Sequence, residues 1–196
     1  MDRAAWDERY GQAAWVWSLE PNRFVAERLA GHEPGRALDL ACGEGRNALW
    51  LAQRGWRVTA VDFSQVALDK GHQRAVGAGL EIEWVAADLT AFEPETGEYD
   101  LALIAYLHLP ARDLEKVLRR AAGSLAPGGT LLVVGHDVTN LTEGAGGPQD
   151  PELLYTPESV TAALERLRVE RAQRVTRAVD GADRPAIDTL VLAVRD

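Results

Sequence analysis

The run Ala37–Asn47, A-L-D-L-A-C-G-E-G-R-N, constrains the fold more than any other stretch of the chain. Ala37–Ala41 is a short apolar run, and Gly43 and Gly45 follow it one residue apart. Ala48, Leu49, Leu51 and Ala52 then recur with helical spacing until Gly55 ends the pattern. Strand, glycine turn and helix in immediate succession open a β-α-β unit, and such units build a parallel sheet flanked by helices. Asp39 is the anomaly, because an ionised carboxylate inside an apolar run is costly unless something pairs with it.

The alternation continues downstream. Val58–Val61 reads as a strand closing on Asp62, and Ser64 caps a helix running through Val66, Ala67 and Leu68 toward Gly77–Gly79. Ile82–Ala86 reads as a strand closing on Asp88, and Leu101–Ala105 as the next. Pro110 opens a helix with Leu114, Val117 and Leu118 on one face, ending near Pro127-Gly128-Gly129, and the strand Thr130–Val134 follows. From His136 to Thr156 the chain is rich in Gly, Pro and Asn without periodicity, which marks a functional or mobile segment. Pro157–Leu167 reads as a helix, and Val169–Val179 and Ile187–Val194 as an antiparallel hairpin.

Ahead of the first strand, Asp2–Tyr10 reads as a short helix and Pro21-Asn22 opens an amphipathic one through Phe24, Val25 and Leu29. Trp6, Trp15 and Trp17 crowd this arm, either as an aromatic staple or as a lid over a ligand. The arginines at 166, 168, 171, 174 and 177 are expected to guard an exposed strand edge. The expected fold class is therefore α/β, as one domain over residues 1–196. It divides into an N-terminal arm or lid (1–35), a core (36–136), a Gly/Pro-rich loop (137–156) and a C-terminal helix and hairpin (157–196).

Composition removes several functional classes. A net charge of -9 argues against a nucleic-acid partner and against an anionic membrane surface. No apolar run is long enough for a signal peptide or a membrane span, and the lone Cys42 excludes an internal disulfide, so a cytoplasmic protein is expected. No Cys/His cluster has metal-ligand spacing, so no metal is expected.

Three successive strands carry or end in an acid: Asp39, Asp62 and Asp88. In an open parallel sheet those ends lie side by side on the edge where ligands bind. Gly43–Ala48 matches G-x-G-x-x-A, with Asp62 at the spacing of a ribose-binding acid, which by itself reads as a dinucleotide site. Asp39 and Glu44 flank the place of the pyrophosphate, and like charges there are unfavourable. A ligand with a ribose, an adenine and a cationic end fits better.

L-D-L-A-C-G-E-G-R-N, V-D-F-S, A-A-D-L and Y-D-L-A-L-I-A-Y-L-H-L, in this order over about residues 35–136, resemble the successive motifs of class I S-adenosylmethionine-dependent methyltransferases. W-D-E-R-Y-G and G-E-G-R-N-A are similar to small members of the tellurite-resistance type. The resemblance implies a Rossmann-like doubly wound, mostly parallel seven-stranded sheet with helices on both faces and a C-terminal antiparallel hairpin. It implies S-adenosylmethionine as cofactor, S-adenosylhomocysteine as product and a small-molecule acceptor.

By the same resemblance Asp39 holds the methionine ammonium, and Ala41, Gly43 and Gly45 admit the methionine part. Ala41 stands where many members have glycine. Asp62 accepts the ribose hydroxyls, Phe63 packs on the adenine, and Asp88 with the backbone of Leu89 reads the adenine edge. Ala105 and Tyr106 lie near the sulfonium, and Tyr10 and Arg46 reach the methionine carboxylate. The family has no fixed catalytic residue; His108 and His136, each following a strand, are the candidates for a base, and Asp137 orients His136 or caps the loop. The N-terminal tryptophans and Asn140–Tyr155 are expected to form the acceptor pocket. Two alternatives stay open: a protein that binds S-adenosylmethionine without catalysis, and an NAD(P)-dependent oxidoreductase.

Overall fold

Asn22 and Ser64 show how closely local chemistry sets the elements in a computed structural model of the chain, which describes residues 2–196. The Asn22 side chain accepts from the N–H groups of Phe24 and Val25 and starts α2 (Arg23–Leu29). Pro21 precedes this cap and so stands just outside the helix that the sequence has it open. Ser64 caps α4 (Gln65–Gly77) by accepting from the Ala67 N–H, as its sequence predicts.

The contacts of the chain form two compact units, one ending at Glu93 and one running Pro94–Asp196. The first holds α1 (Arg3–Gln12), α2, β1 (Arg36–Leu40), α3 (Arg46–Gln53), β2 (Arg57–Asp62), α4 and β3 (Ile82–Ala86). Its strands are parallel, with Asp39 opposite Ala60 and Asp62 opposite Ala86. Leu38, Leu40, Ala60 and Val61 are buried with Leu51 of α3 and Leu68 of α4.

The second unit holds β4 (Tyr99–Ala105), α5 (Ala111–Ser124), β5 (Leu125–His136), α6 (Asn140–Glu143), a 3-10 turn (Pro151–Leu153), α7 (Pro157–Thr161), β6 (Arg168–Arg177) and β7 (Ala186–Val194). β5 is parallel to β4 and antiparallel to β7, and β6 pairs antiparallel with β7. The strand order is β3-β2-β1-β4-β5-β7-β6, a seven-stranded, mostly parallel sheet closed by the expected hairpin.

Two expectations are corrected. The helix expected over Pro157–Leu167 ends at Thr161. Beyond it the chain tightens into three-residue turns, Leu164 N–H to Thr161 and Leu167 N–H to Leu164, which bury Leu164 and Leu167. The edge arginines also divide. β6 is the edge strand and Arg168 pairs with Glu170 and Asp196 at the surface, but Arg174 and Arg177 reach the fully buried carboxylates of Asp137 and Asp188.

Candidate active site

The acids of the first unit stand at the carboxyl ends of its strands. Asp39 is fully buried, and neither of its carboxylate oxygens has a hydrogen-bond partner among the described residues. Burial first, then the nearby Asp62 carboxylate, pushes Asp39 up to about 7, with the Arg46 charge and the Ala48 N–H, which falls outside hydrogen-bond geometry, offsetting only part of this. An orphaned buried acid is what an ammonium ligand would satisfy.

The turn beside it is held by the next acid. Asp62 accepts from the Gly43 N–H through one oxygen (2.9 Å) and from the Ser64 N–H through the other (2.9 Å). Burial raises its pKa while these backbone donors lower it. Each oxygen keeps a further lone pair. Gly43 and Gly45 are left-handed, at φ 56° and 75°. A Cβ on Gly43 would stand 2.9 Å from the Tyr10 hydroxyl, and one on Gly45 would enter the Trp84 ring. Ala41 adopts φ 61° without being glycine, so the departure noted in the sequence is a strained one.

Asp88 is exposed beyond β3, and its Oδ1 accepts from the N–H and hydroxyl of Thr90, an Asx-type cap. Leu89 is buried beside it, and Phe63 is half-buried after β2. Arg46 donates to the Ser18 hydroxyl at 3.3 Å. Cys42 is buried, and burial pushes its thiol up, so it packs rather than reacts.

The arm residues close on this turn through a contact set the sequence does not announce. Lys70 donates to the carbonyls of Tyr10 (2.5 Å) and Ala13 (2.7 Å) and to Glu44 (3.0 Å). Glu44 in turn accepts from the Val16 N–H at 3.0 Å. Tyr10 stacks on Trp6 and receives the Trp17 indole N–H at 3.4 Å. Burial raises the Tyr10 phenol, keeping it neutral. The tryptophans thus staple the arm to the glycine turn, while Trp15 and Trp17 keep 37% and 40% of their surface exposed.

In the second unit Ala105 ends β4 opposite Val134, and Tyr106 follows at φ 61°, a strained conformation for a bulky side chain. Its hydroxyl donates to Asp188 (2.8 Å), and Arg177 Nε lies 3.0 Å from that hydroxyl and 2.9 Å from Asp188. The His108 and His136 rings stack at 5.3 Å. Of the two roles expected for Asp137, it takes the loop cap, accepting from Thr139, Arg174 and Thr189. Burial raises its pKa, but these donors together hold it below the ordinary carboxylate range. Asp188 rather than Asp137 faces His136, with Oδ1 3.2 Å from Nδ1. Sequence reasoning missed Asp188, although an acid inside the apolar run Ile187–Val194 is the signal that picked out Asp39.

No group of His, Cys, Asp and Glu among the described residues has the arrangement of a metal site. No helix among them is long and apolar enough to cross a membrane.

Residues 37–129 match the family model of a methyltransferase domain. Demethylmenaquinone methyltransferase of Thermus thermophilus is 38% identical over 103 residues, covering 52% of this chain and 47% of the relative. The chain spans about half the length of the curated relatives it matches. The fold is shared with TehB from Haemophilus influenzae (TM-score 0.76, 17% identity, 90% of this chain and 63% of that one). It is shared also with the N-methyltransferase NodS from Bradyrhizobium japonicum WM9, solved with S-adenosylhomocysteine (TM-score 0.69, 23% identity, 99% of each chain). With its fold and motifs, the matched stretch belongs to the class I S-adenosylmethionine-dependent methyltransferase family.

Proposed function

We propose that the chain is a methyltransferase that takes a methyl group from S-adenosylmethionine and passes it to a small-molecule acceptor. The carrying observation is the buried, unpartnered carboxylate of Asp39 beside a turn with two left-handed glycines. A pyrophosphate would meet Asp39 and Glu44 as like charges, whereas an ammonium supplies Asp39 with its missing partner.

Asp39 binds the amino group of the methionine part, and Gly43 and Gly45 let it approach the backbone. Asp62 presents its remaining lone pairs to the ribose hydroxyls, and its bonds to Gly43 and Ser64 fix its orientation. Asp88 and the Leu89 N–H read the adenine edge, with Phe63 against the ring. Tyr10 and Arg46 serve the methionine carboxylate, and Ala105 and Tyr106 serve the cofactor near its sulfonium. When bound, the donor supplies a methyl carbon activated by positive sulfur, so the protein's task is alignment and exclusion of water. The acidic composition and single cysteine support a cytoplasmic enzyme without a nucleic-acid substrate, and a length of 196 residues suits one domain.

Incubation with S-adenosylmethionine and a panel of small thiols, amines, phenols and acids tests the activity. Acceptor-dependent release of S-adenosylhomocysteine is expected. Binding of the cofactor with no turnover on any acceptor would favour a non-catalytic binding protein.

A further inference from the structure

Resting on the methyltransferase reading, we infer that Asp188 and His136 form a proton-accepting dyad, which restricts the acceptor to a group that loses a proton as it gains the methyl. The two histidines of the second unit are equal candidates in sequence, but their surroundings separate them. His108 Nδ1 lies 2.8 Å from the Leu153 carbonyl, which accepts only, so the proton sits on Nδ1. Its Nε2 is buried and without a partner, and burial lowers its pKa to about 4. His108 is therefore a neutral ring that does not reach solvent through its basic nitrogen.

His136 also turns Nδ1 toward an oxygen, but its ring keeps an exposed edge. Its buried Nδ1 stands 3.2 Å from Asp188 Oδ1, and 11% of its side chain stays exposed. The distance is that of an ion pair, although its angle departs from that of a hydrogen bond; such contacts tighten when substrate binds. Asp188 is wholly buried at the register position facing His136 across β5 and β7. Its other oxygen is fixed by Tyr106 and Arg177, which leaves Oδ1 aimed at the imidazole.

The titratable groups beside His136 are Asp188 from β7 and the rings of Tyr106 and His108 after β4, and Arg177 from β6 pairs with that same Asp188. Arg177 neutralises part of the Asp188 charge; Tyr106 is held protonated by burial and by that same carboxylate. His108, stacked on His136, is neutral, so a charge forming on His136 meets one carboxylate and no second imidazolium.

Asp188 is thus a positioning residue that fixes the proton of His136 on Nδ1 and frees Nε2 to accept. In the step it serves, the X–H bond of the acceptor breaks and the proton passes to His136 Nε2. The X–C bond forms as the C–S bond breaks, with its electron pair left on sulfur. Hydroxyl, thiol and amine acceptors meet this balance; a thioether, a tertiary amine or an ionised carboxylate has no proton to give.

Imidazole nitrogen NMR on the full chain at neutral pH is the direct test. A His136 proton on Nδ1 is expected, with a shift toward the Nε2–H tautomer in Asp188→Asn. The Nε2–H tautomer in the wild type overturns the dyad, as does an unchanged spectrum in a folded Asp188→Asn. His136→Gln keeps Asp188 paired with Arg177 and serves where Asp188→Asn does not fold. It should lower kcat on an X–H acceptor by about 100-fold or more while leaving S-adenosylhomocysteine binding within twofold. Unchanged kcat overturns the dyad, whereas loss of cofactor binding by the wild type would instead sink the methyltransferase reading.

Discussion

A carboxylate with both oxygens buried and unpartnered opposes folding, and Asp39 does so whenever it is ionised. Burial pushes its folded pKa up to about 7, above the ordinary aspartate value of 3.8, so the folded state holds the proton more tightly than the unfolded chain. The ligand-free protein should therefore lose stability as pH rises from about 4 to 7 and change little from this source above that. Asp39→Asn should raise the melting temperature of the free protein at pH 8 and remove most of the rise that S-adenosylhomocysteine produces. A lower melting temperature in the free variant would show that Asp39 already has a partner.

Ala41→Gly relieves a left-handed alanine, a strain of roughly 1–2 kcal/mol, against a gain in unfolded-chain entropy of about 0.4–1 kcal/mol. Urea melts should show stabilisation by about 0.5–1 kcal/mol; destabilisation would mean that the methyl group packs usefully. Asp62→Ala should weaken cofactor binding by about 1.5–3 kcal/mol, the range for hydrogen bonds to a charged group, and unchanged affinity would remove it from the ribose site. Asp39 was legible because a charge in an apolar run is visible without a structure. Asp188 carries the same mark, yet its partners Arg177, Tyr106 and His136 come from three separate segments and only folding joins them.

Among the elements, periodicity located every strand, and β3 agrees at both ends. β5 runs longer than its apolar stretch because the Leu125 to Gly129 segment joins the ladder through a register shift. The arm was harder to read. Residues 13–17 have no regular structure, and they are held by an amine and a carboxylate far off in sequence, Lys70 and Glu44. No local pattern announces such a clasp. Lys70→Met should speed amide exchange at Val16 and Trp17 by about tenfold or more, since it removes at least one charge-assisted hydrogen bond. Equal exchange rates would mean that the aromatic stacking of Trp6, Tyr10 and Trp17 holds the arm alone.

For the molecule as a whole, a mostly parallel seven-stranded sheet with a terminal antiparallel hairpin was legible from strand–helix alternation and the family motifs, whereas the order β3-β2-β1-β4-β5-β7-β6 comes from the structure. The split use of the β6 arginines was not legible, because Arg174 and Arg177 stand on opposite faces of the edge strand and each meets a buried acid from another segment, Asp137 or Asp188. The glycine turn is common to dinucleotide and methyl-donor sites; the charge around it separates them. Calorimetric titration of the full chain with S-adenosylhomocysteine and, in parallel, with NADH tests that separation most directly. Saturable single-site binding of S-adenosylhomocysteine, with no heat from NADH, is the expected result. Saturable NADH binding with no response to S-adenosylhomocysteine would contradict a methyl-donor site at Asp39.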